Sequence, residues 1–512
     1  MNTTPSPTPL SDRYVTLRLC RWLVDPLRLR IYLWAALCLI TLIAVAYAAV
    51  NWHGARVWAA RRASLEAAGV RLELASFIPP RVPDEQNFTM TPLLAPLFDF
   101  KPGTQEWRDT NTSDLPQKLN PMRTDGPKGG WRSARGTDWE GWIDALNLKN
   151  ATNATVSPPQ AVLDHLRPWD SMLAQVREAS RRPAARFNAH YEHEPAFEIL
   201  LPHLGILRGW CRVLALRASS YLALGNPEAA YEDIALGLYL AQTVREEPLL
   251  ISHLVHGACV QSLAQPLWEG LSAHRWTDSQ IRALQESLEQ VDLWSGMQRT
   301  LNAERAFSSA MLDYIREHPS ILPTLGDSSG NPFGAAAMLF TLIPSGWLRL
   351  EQAEYHRLYQ EALSGIGDPA RRHVDPAPVV EATSRVEAEV RQAPLRNHRV
   401  FARMLIPGIA AVVSKTAYNQ SVADQMALAC ALERYRWAHN RWPETLDAMV
   451  PDFARRIPTD GIRGEPLHYA VSGTGYTLYS IGWNGTDDGG RPGQDDKGRW
   501  SMSAGDWVWR IP

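Results

Sequence analysis

Cysteine is scarce in this chain: Cys20, Cys38, Cys211, Cys259 and Cys430 are the five in 512 residues. None stands in a C-x-x-C spacing, which excludes a zinc ribbon, and thiols so widely spread cannot weave a disulfide framework. A single Cys211–Cys259 link is open to an oxidising compartment; the alternative is that both are small buried hydrophobes on helices. Net charge is almost absent as well, 52 Lys and Arg standing against 54 Asp and Glu, with no long basic run. Nucleic-acid binding needs clustered cations to neutralise phosphates, so that class is excluded. A P-loop and a dinucleotide-binding fingerprint are also missing.

Long uncharged apolar runs are equally rare. The single one is Ile31 to Val50, IYLWAALCLITLIAVAYAAV. At about 1.5 Å per residue a helix of this length matches a hydrocarbon core roughly 30 Å thick, so it predicts a transmembrane helix. Arg13, Arg18, Arg21, Arg28 and Arg30 precede it, and Arg56, Arg61 and Arg62 follow. That excess favours an N-terminus in the cytoplasm and a body outside it, a single-pass protein of the inner (cytoplasmic) membrane. The competing reading is a cleaved signal peptide with Ala46-Tyr47-Ala48 as its small-residue site. The run is too long for an ordinary signal core.

What is present is the composition of an ordinary globular protein, long enough for more than one domain. Five stretches are expected: a basic leader (1–30), the span (31–50), an extended and irregular connecting region (51–160), a helical domain (161–400) and a small α+β module (401–512). The leader is Thr/Pro/Ser-rich to Pro9, and from Tyr14 to Leu27 it mixes apolar residues with arginine, as an interfacial helix does. Arg56 to Ala68 has helical character and stops at Gly69. Val70, Leu72 and Leu74 alternate with charged residues, which predicts a short strand. Phe88 to Phe100, broken by Pro92 and Pro96, has the makings of a strap along the body. Between Lys101 and Pro159 the only sustained period is a helical patch from Asp138 to Leu146. Trp131, Trp139 and Trp142 cluster there, either as a sugar- or partner-binding platform or as anchors of a loop, the second being the plainer expectation.

Leu214 to Gln242 reads as two amphipathic helices flanking Gly225-Asn226-Pro227, where Gly ends one helix and Pro begins the next. With Leu224-Gly225 and Tyr231 at the turn, it resembles one tetratricopeptide-type hairpin. That resemblance implies a helical, partly tetratricopeptide-like body with a partner-binding role. Leu250 to Gly270 and Asp278 to Val291 offer a second helical pair.

At the C-terminus a helix from Ala411 to His439 leads to Arg441-Trp442-Pro443, then to Thr459-Asp460-Gly461. A hairpin follows, Leu467–Val471 and Tyr476–Ile481, turned by Gly473-Thr474-Gly475. Within it Tyr476 and Leu478 face opposite to Thr477 and Tyr479. Asp506 to Trp509 supplies a closing strand. In this order the motifs resemble the globular part of the type II secretion major pseudopilin, which implies an extracytoplasmic structural module. The resemblance also places Asn484, Asp487, Asp488, Asp495 and Asp496 in the loop where that family holds calcium. Carboxylates on a Gly-bent loop suit a hard cation, while an Asx-rich turn without an ion is the alternative.

Catalytic constellations are thin. His190-Tyr191-Glu192-His193-Glu194-Pro195 is the densest ligand cluster, but the fifth position of an H-E-x-x-H motif begun at His193 is Phe197, so it does not complete a zincin motif. Gly326-Asp327-Ser328-Ser329-Gly330 satisfies G-x-S-x-G without the strand that a nucleophile elbow needs. The expected fold class is therefore mainly α and multidomain. The expected function is a non-enzymatic scaffold or partner-binding protein of the envelope or of secretion- or pilus-like machinery. Membrane and protein partners are expected, and Ca2+ is the one candidate cofactor. The rival is a membrane-anchored hydrolase of an envelope polymer using the His190–Glu194 region.

Overall fold

The apolar run lies inside one uninterrupted helix, α1 (Pro26–Ala67), 42 residues long. The computed structural model describes residues 26–122, 126–127, 129–152, 156–321, 343–394, 396–406 and 408–512. The leader up to residue 25, the Gly326–Gly330 motif and nearly all of the Ala335–Ile343 apolar run lie outside the described residues. The most apolar window of the α1 region has mean hydropathy 2.4 and none of it is covered by the body. Two later helical stretches, Ala196–Ala223 and Val400–His439, are also long and apolar enough by composition, at 1.4 each. Their windows are 56% and 53% buried, so burial agrees with the lower hydropathy in assigning both to the core. Tyr32 and Trp34 are exposed at one end of the run, Tyr47 and Trp52 at the other. Trp34 and Trp52 are separated by roughly 27 Å of helix, the spacing of aromatic belts at two membrane surfaces.

The helix does not stop where the membrane would. Four short helices, α2 (Leu115–Leu119), α3 (Trp139–Ala145), α4 (Pro158–Leu166) and α5 (Asp170–Ala179), lead into the long helices of the body. These are α6 (Pro202–Ala223), α7 (Pro227–Gln242), α8 (Leu250–Ser262), α9 (Ala264–Ser272), α10 (Asp278–Glu289), α11 (Leu293–Glu317), α12 (Ser345–Ser364) and α13 (Pro376–Val390). A short α14 (Val400–Leu405) precedes the 31-residue α15 (Ile409–His439). The far half of α1 packs along α12. Gly54 and Gly346 meet at the crossing, where a Cβ on Gly54 would lie 2.0 Å from the Gly346 carbonyl oxygen. Asn51 Oδ1 accepts the Gly346 N–H at 2.7 Å, so the anchor helix caps its neighbour. Higher up, Trp58 is buried and stacks on His356, ring centres 5.2 Å apart. Anchor and body are thus joined by packing as well as by the chain.

The expected stop at Gly69 is present, with φ +79° and the helix ending at Ala67. The expected strand at Val70–Leu74 is not. The segment is irregular and tightens into a 3-10 turn at Leu74–Phe77, whose Phe77 is buried beside Ala303 and Ala306. The turn meets its hydrogen-bonding need locally, Ile78 N–H to Ala75 C=O, so the alternation never finds a neighbouring edge.

The α6–α7 hairpin closes as its sequence requires. Gly225 has φ +79°, the Asn226 side chain accepts from Ala229 N, and Pro227 opens the second helix. Two apolar clusters fill the body. One holds Phe88, Leu97, Phe98, Trp210 and Leu240. The other runs from Ala218 and Trp276 through α15 to Leu478 and Trp509 of the C-terminal sheet.

That sheet is small and antiparallel: β1 (His468–Ser472), β2 (Gly475–Ser480), then β5 (Trp507–Ile511) on the far side of β2. Tyr476 and Leu478 face the core while Thr477 and Tyr479 are half-covered. A separate hairpin pairs β3 (Pro492–Gln494) with β4 (Trp500–Gly505). The sheet is pinned to the helices by its edges. Gln425 Nε2 of α15 donates to Trp507 C=O at 2.6 Å, and Trp268 Nε1 of α9 to Arg510 C=O at 2.7 Å. The Asp-Gly loop before β1 is organised by the buried Asp460. Its carboxylate accepts Ser480 Oγ–H at 2.6 Å, Ile462 N–H at 2.9 Å and Ile481 N–H at 3.1 Å.

Candidate functional site

The tryptophan cluster flagged in the irregular region sits beside a cavity of about 480 Å3. Its position follows from how the loop is sewn down. Gln265 Oε1 of α9 accepts Trp131 N–H at 2.8 Å, and Glu269 Oε1 accepts both the N–H and the hydroxyl of Thr137, at 2.6 and 2.8 Å. Trp131 is buried against Trp509, ring centres 5.3 Å apart. Trp131 is therefore a loop anchor. Trp139 packs, half-covered, on the cluster that holds Phe88 and Trp210. Trp142 differs: α3, capped by Asp138 through Gly141 N–H, holds it half-buried in the cavity wall over Gly126.

Residue types the sequence did not single out complete the walls. Arg208, Arg212, Ala215, Leu216 and Ser219 line it from one stripe of α6, spaced by four, three, one and three residues as one helical face requires. Gln261 and Ser262 come from α8, Gln265 from α9, and Trp500 from β4. Arg132 is the most constrained group. Its guanidinium lies 4.6 Å from the Trp131 ring centre and 4.3 Å from that of Trp500, with Tyr418 at 5.7 Å. Its Nε donates to Tyr418 Oη at 2.7 Å. Among the described residues, Arg132, Arg208, Arg212 and Asp138 are the charged groups lining the cavity, and Asp138 is engaged as a helix cap. The cavity offers indole surface together with guanidinium, amide and hydroxyl groups. An arginine beside Trp131 and an Arg208/Arg212 pair at helical spacing in an apolar helix were signals available in the sequence.

A second cavity, of about 420 Å3, mixes signs: Glu286, Glu289 and Asp424 with Arg372, Arg455 and Arg456. Burial pushes the Asp424 carboxyl up to about 7, while Gln420 Nε2 donates to it at 3.0 Å and acts in the opposite direction.

The residues named for calcium are divided among three places. Asn484 Nδ2 donates to Asp488 at 2.8 Å, and the Asp488 N–H goes to Asp506, a buried carboxylate that also accepts Gly490 N–H. Asp487 instead receives the Tyr479 hydroxyl and Gly489 N–H. Asp495 lies in the β3–β4 turn, gripped by Arg499 through Nε at 2.9 Å and Nη2 at 2.8 Å, and Asp496 is exposed. Among the described residues, no group of three or more His, Cys, Asp or Glu side chains is arranged to hold a metal ion.

In the His190–Glu194 stretch, Glu192 and Glu194 are exposed, whereas His190 packs edge-on against Phe100 at 5.2 Å. The nearest ion-pair partner of His193 is Glu198, 3.8 Å away and beyond hydrogen-bond range. A Ser–Glu–His constellation does exist elsewhere. His203 Nε2 is 2.8 Å from Glu247 Oε1, and the Ser252 hydroxyl donates to the other oxygen. The carboxylate stands between serine and imidazole. In a nucleophilic triad the imidazole must stand in the middle to take the serine proton. All three side chains are buried, so this group staples α6 to the start of α8. Compared with known proteins, the chain matches no family model, no curated protein and no solved structure.

Proposed function

We propose that this protein is a membrane-anchored, extracytoplasmic binding protein of the cell envelope, a scaffold that presents the Arg132 cavity at a fixed height above the lipid surface. It works without catalysis. The observation that carries this reading is the continuity of α1, whose uncovered apolar half runs without a break into a half packed on α12 through Gly54 and Gly346. A rigid stalk of this kind suits positioning, and a cavity lined by arginine and tryptophan suits recognition. The arginine excess before the span supports a cytoplasmic N-terminus and a location in the inner membrane. The order helix, Arg-Trp-Pro turn, Asp-Gly loop, hairpin supports kinship of the C-terminal module with pseudopilins, and the α6–α7 hairpin supports a tetratricopeptide-like contribution. Work beside secretion- or pilus-like machinery, with protein partners, is the corresponding role.

Two fusions behind Pro512 test the topology in the full chain: one reporter that matures only in the cytosol and one active only outside it. Activity of the second alone is expected. Signal from the cytosolic reporter alone would put the cavity on the other side and remove the envelope role.

A further inference from the structure

We propose that the membrane-proximal face of the body docks on anionic phospholipid headgroups, through Arg56 of α1, Arg349 of α12 and Arg396 of the loop before α14. This rests on the reading of the protein as membrane-anchored and names what the foot of the body touches. It holds whichever side of the membrane the body occupies.

The height of this face is set by the α1–α12 crossing. The apolar run ends at Val50, and the next residue, Asn51, already accepts the Gly346 N–H at the start of α12. From there the two helices climb together. Gly54 meets Gly346, Val57 and Ala60 share a groove with Leu350 and Ala353, and Trp58 stacks on His356. At about 1.5 Å per residue, Arg56 stands roughly 9 Å beyond Val50. Arg349, one turn after Gly346, is at a similar level. The loop before α14 is drawn in beside them: His398 lies edge-on to Trp347, ring centres 5.4 Å apart, and Asn397 and His398 line the same groove. Arg396 precedes Asn397 directly and is exposed.

The order of side chains along α1 is that of a lipid interface. First comes the uncharged run, then exposed Trp52, then exposed Arg56, whose guanidinium lies 5.5 Å from the Trp52 ring centre. Indoles settle at the headgroup boundary. The polar zone of a bilayer is about 5–7 Å deep on each side, and an arginine one turn above the indole reaches down to its phosphates with an extended side chain.

Charge at this face favours an anionic surface. Among the described residues, Arg56, Arg349 and Arg396 form no ion pair, whereas Arg62 farther up α1 is paired with Glu66. The carboxylates of this part of α12 are committed elsewhere. Glu354 is bridged by Arg357 and Arg399, each at 2.9 Å, and buried Glu351 accepts the Val400 and Phe401 N–H groups. The three arginines thus keep their charge, and a basic surface this close to a span is attracted to acidic lipids.

The test is hydrogen–deuterium exchange of the full chain in nanodiscs of phosphatidylcholine or of phosphatidylglycerol. Peptides covering 344–352 and 394–400 should exchange about fivefold more slowly in the anionic discs. The difference should vanish at about 1 M salt, where charges are screened within about 3 Å. It should also vanish when Arg56→Gln, Arg349→Gln and Arg396→Gln are combined, and persist in Arg62→Gln. Each variant is checked for the parent melting temperature in detergent. If the triple variant does not fold, Arg56→Gln with Arg396→Gln, both at exposed positions, is measured instead. Equal exchange in the two lipids, a difference that survives the arginine variants or high salt, or its loss in Arg62→Gln would overturn the assignment. So would equal protection in phosphatidylcholine discs given soluble glycerol phosphate, which would mark a free-anion site. Protection confined to discs holding two copies would give the face to a second chain and overturn it too. A wrong topology would appear in the reporter fusions and leave these exchange rates as they are.

Discussion

Replacing Gly54 by alanine sets two known effects against each other. Glycine inside a helix costs about 0.8–1.0 kcal/mol relative to alanine, so helix propensity alone predicts that Gly54→Ala stabilises. The crossing predicts the opposite. The new Cβ would stand 2.0 Å from the Gly346 carbonyl oxygen and 2.8 Å from its Cα. Carbon contacts are optimal at about 3.5–4.0 Å, and the opposing atoms are backbone, which cannot turn aside as a side chain can. The reciprocal face is as tight, a Cβ on Gly346 meeting the Val50 carbonyl at 2.3 Å. The two helices must move apart by more than an ångström, which loosens the Trp58–His356 stack and the Asn51 cap. Overpacking of this kind costs about 1–3 kcal/mol, and loss of the cap adds about 1 kcal/mol. The steric term wins, with a net loss of about 1–3 kcal/mol. Thermal unfolding of the full chain in detergent, followed by tryptophan fluorescence, should show a melting temperature several degrees lower. Ala59→Gly, exposed on the same helix, isolates propensity and should cost about 1 kcal/mol. If Gly54→Ala melts at or above the parent, the close crossing is wrong and the stalk is not locked to the body.

Stability should also fall as pH rises through the neutral range. Burial pushes the Glu351 carboxyl up to about 8 from 4.5, although Val400 and Phe401 N–H groups bond to it and act in the other direction. A raised folded-state value means that the folded chain holds the proton more tightly. The stabilisation is complete below about pH 4.5 and is lost progressively up to about pH 8. Between pH 5 and 8 the melting temperature of Glu351→Gln should gain on that of the parent as pH rises, and parallel curves would refute the assignment. Cys211, Cys259 and Cys430 are buried free thiols, and a hydrogen bond between the first two, together with burial, raises the Cys211 thiol. A maleimide should label none of the three in the native protein and all three after unfolding, as read by peptide mass mapping; native labelling would contradict the packing. In the Asn484–Asp496 loop the carboxylates already accept bonds from Asn484, Gly489, Tyr479 and Arg499. EGTA should leave the melting temperature unchanged, and a drop of several degrees would show that calcium displaces those partners.

The site was legible only in part. Trp131, Trp139 and Trp142 stand out in sequence because aromatic residues crowd an otherwise polar stretch. Their separate fates as core, core edge and cavity wall depend on which residues of α9 and β5 come to meet them. Arg132 looks like a surface arginine until Trp500 and Tyr418, hundreds of residues away, close over it. Asp487, Asp488 and Asp495, spaced like calcium ligands, each accept from a nearer donor, and spacing along the chain carries no information about those competitors.

What the sequence by itself determined is what short-range physics controls. The uncharged run, the stops at Gly69 and Gly225, the proline start at Pro227, the two-residue turn at Gly473-Thr474 and the two-residue alternation of β2 all follow from local conformational and solvation preferences. Tertiary structure decided how the two moderately apolar helical stretches, Ala196–Ala223 and Val400–His439, are covered, because their packing partners come from elsewhere in the chain. It also denied Val70–Leu74 a strand, since alternation makes an edge only where another edge is waiting. Finally, it assembled the arginine-and-indole cavity from six elements distant in sequence, whose meeting no local preference encodes.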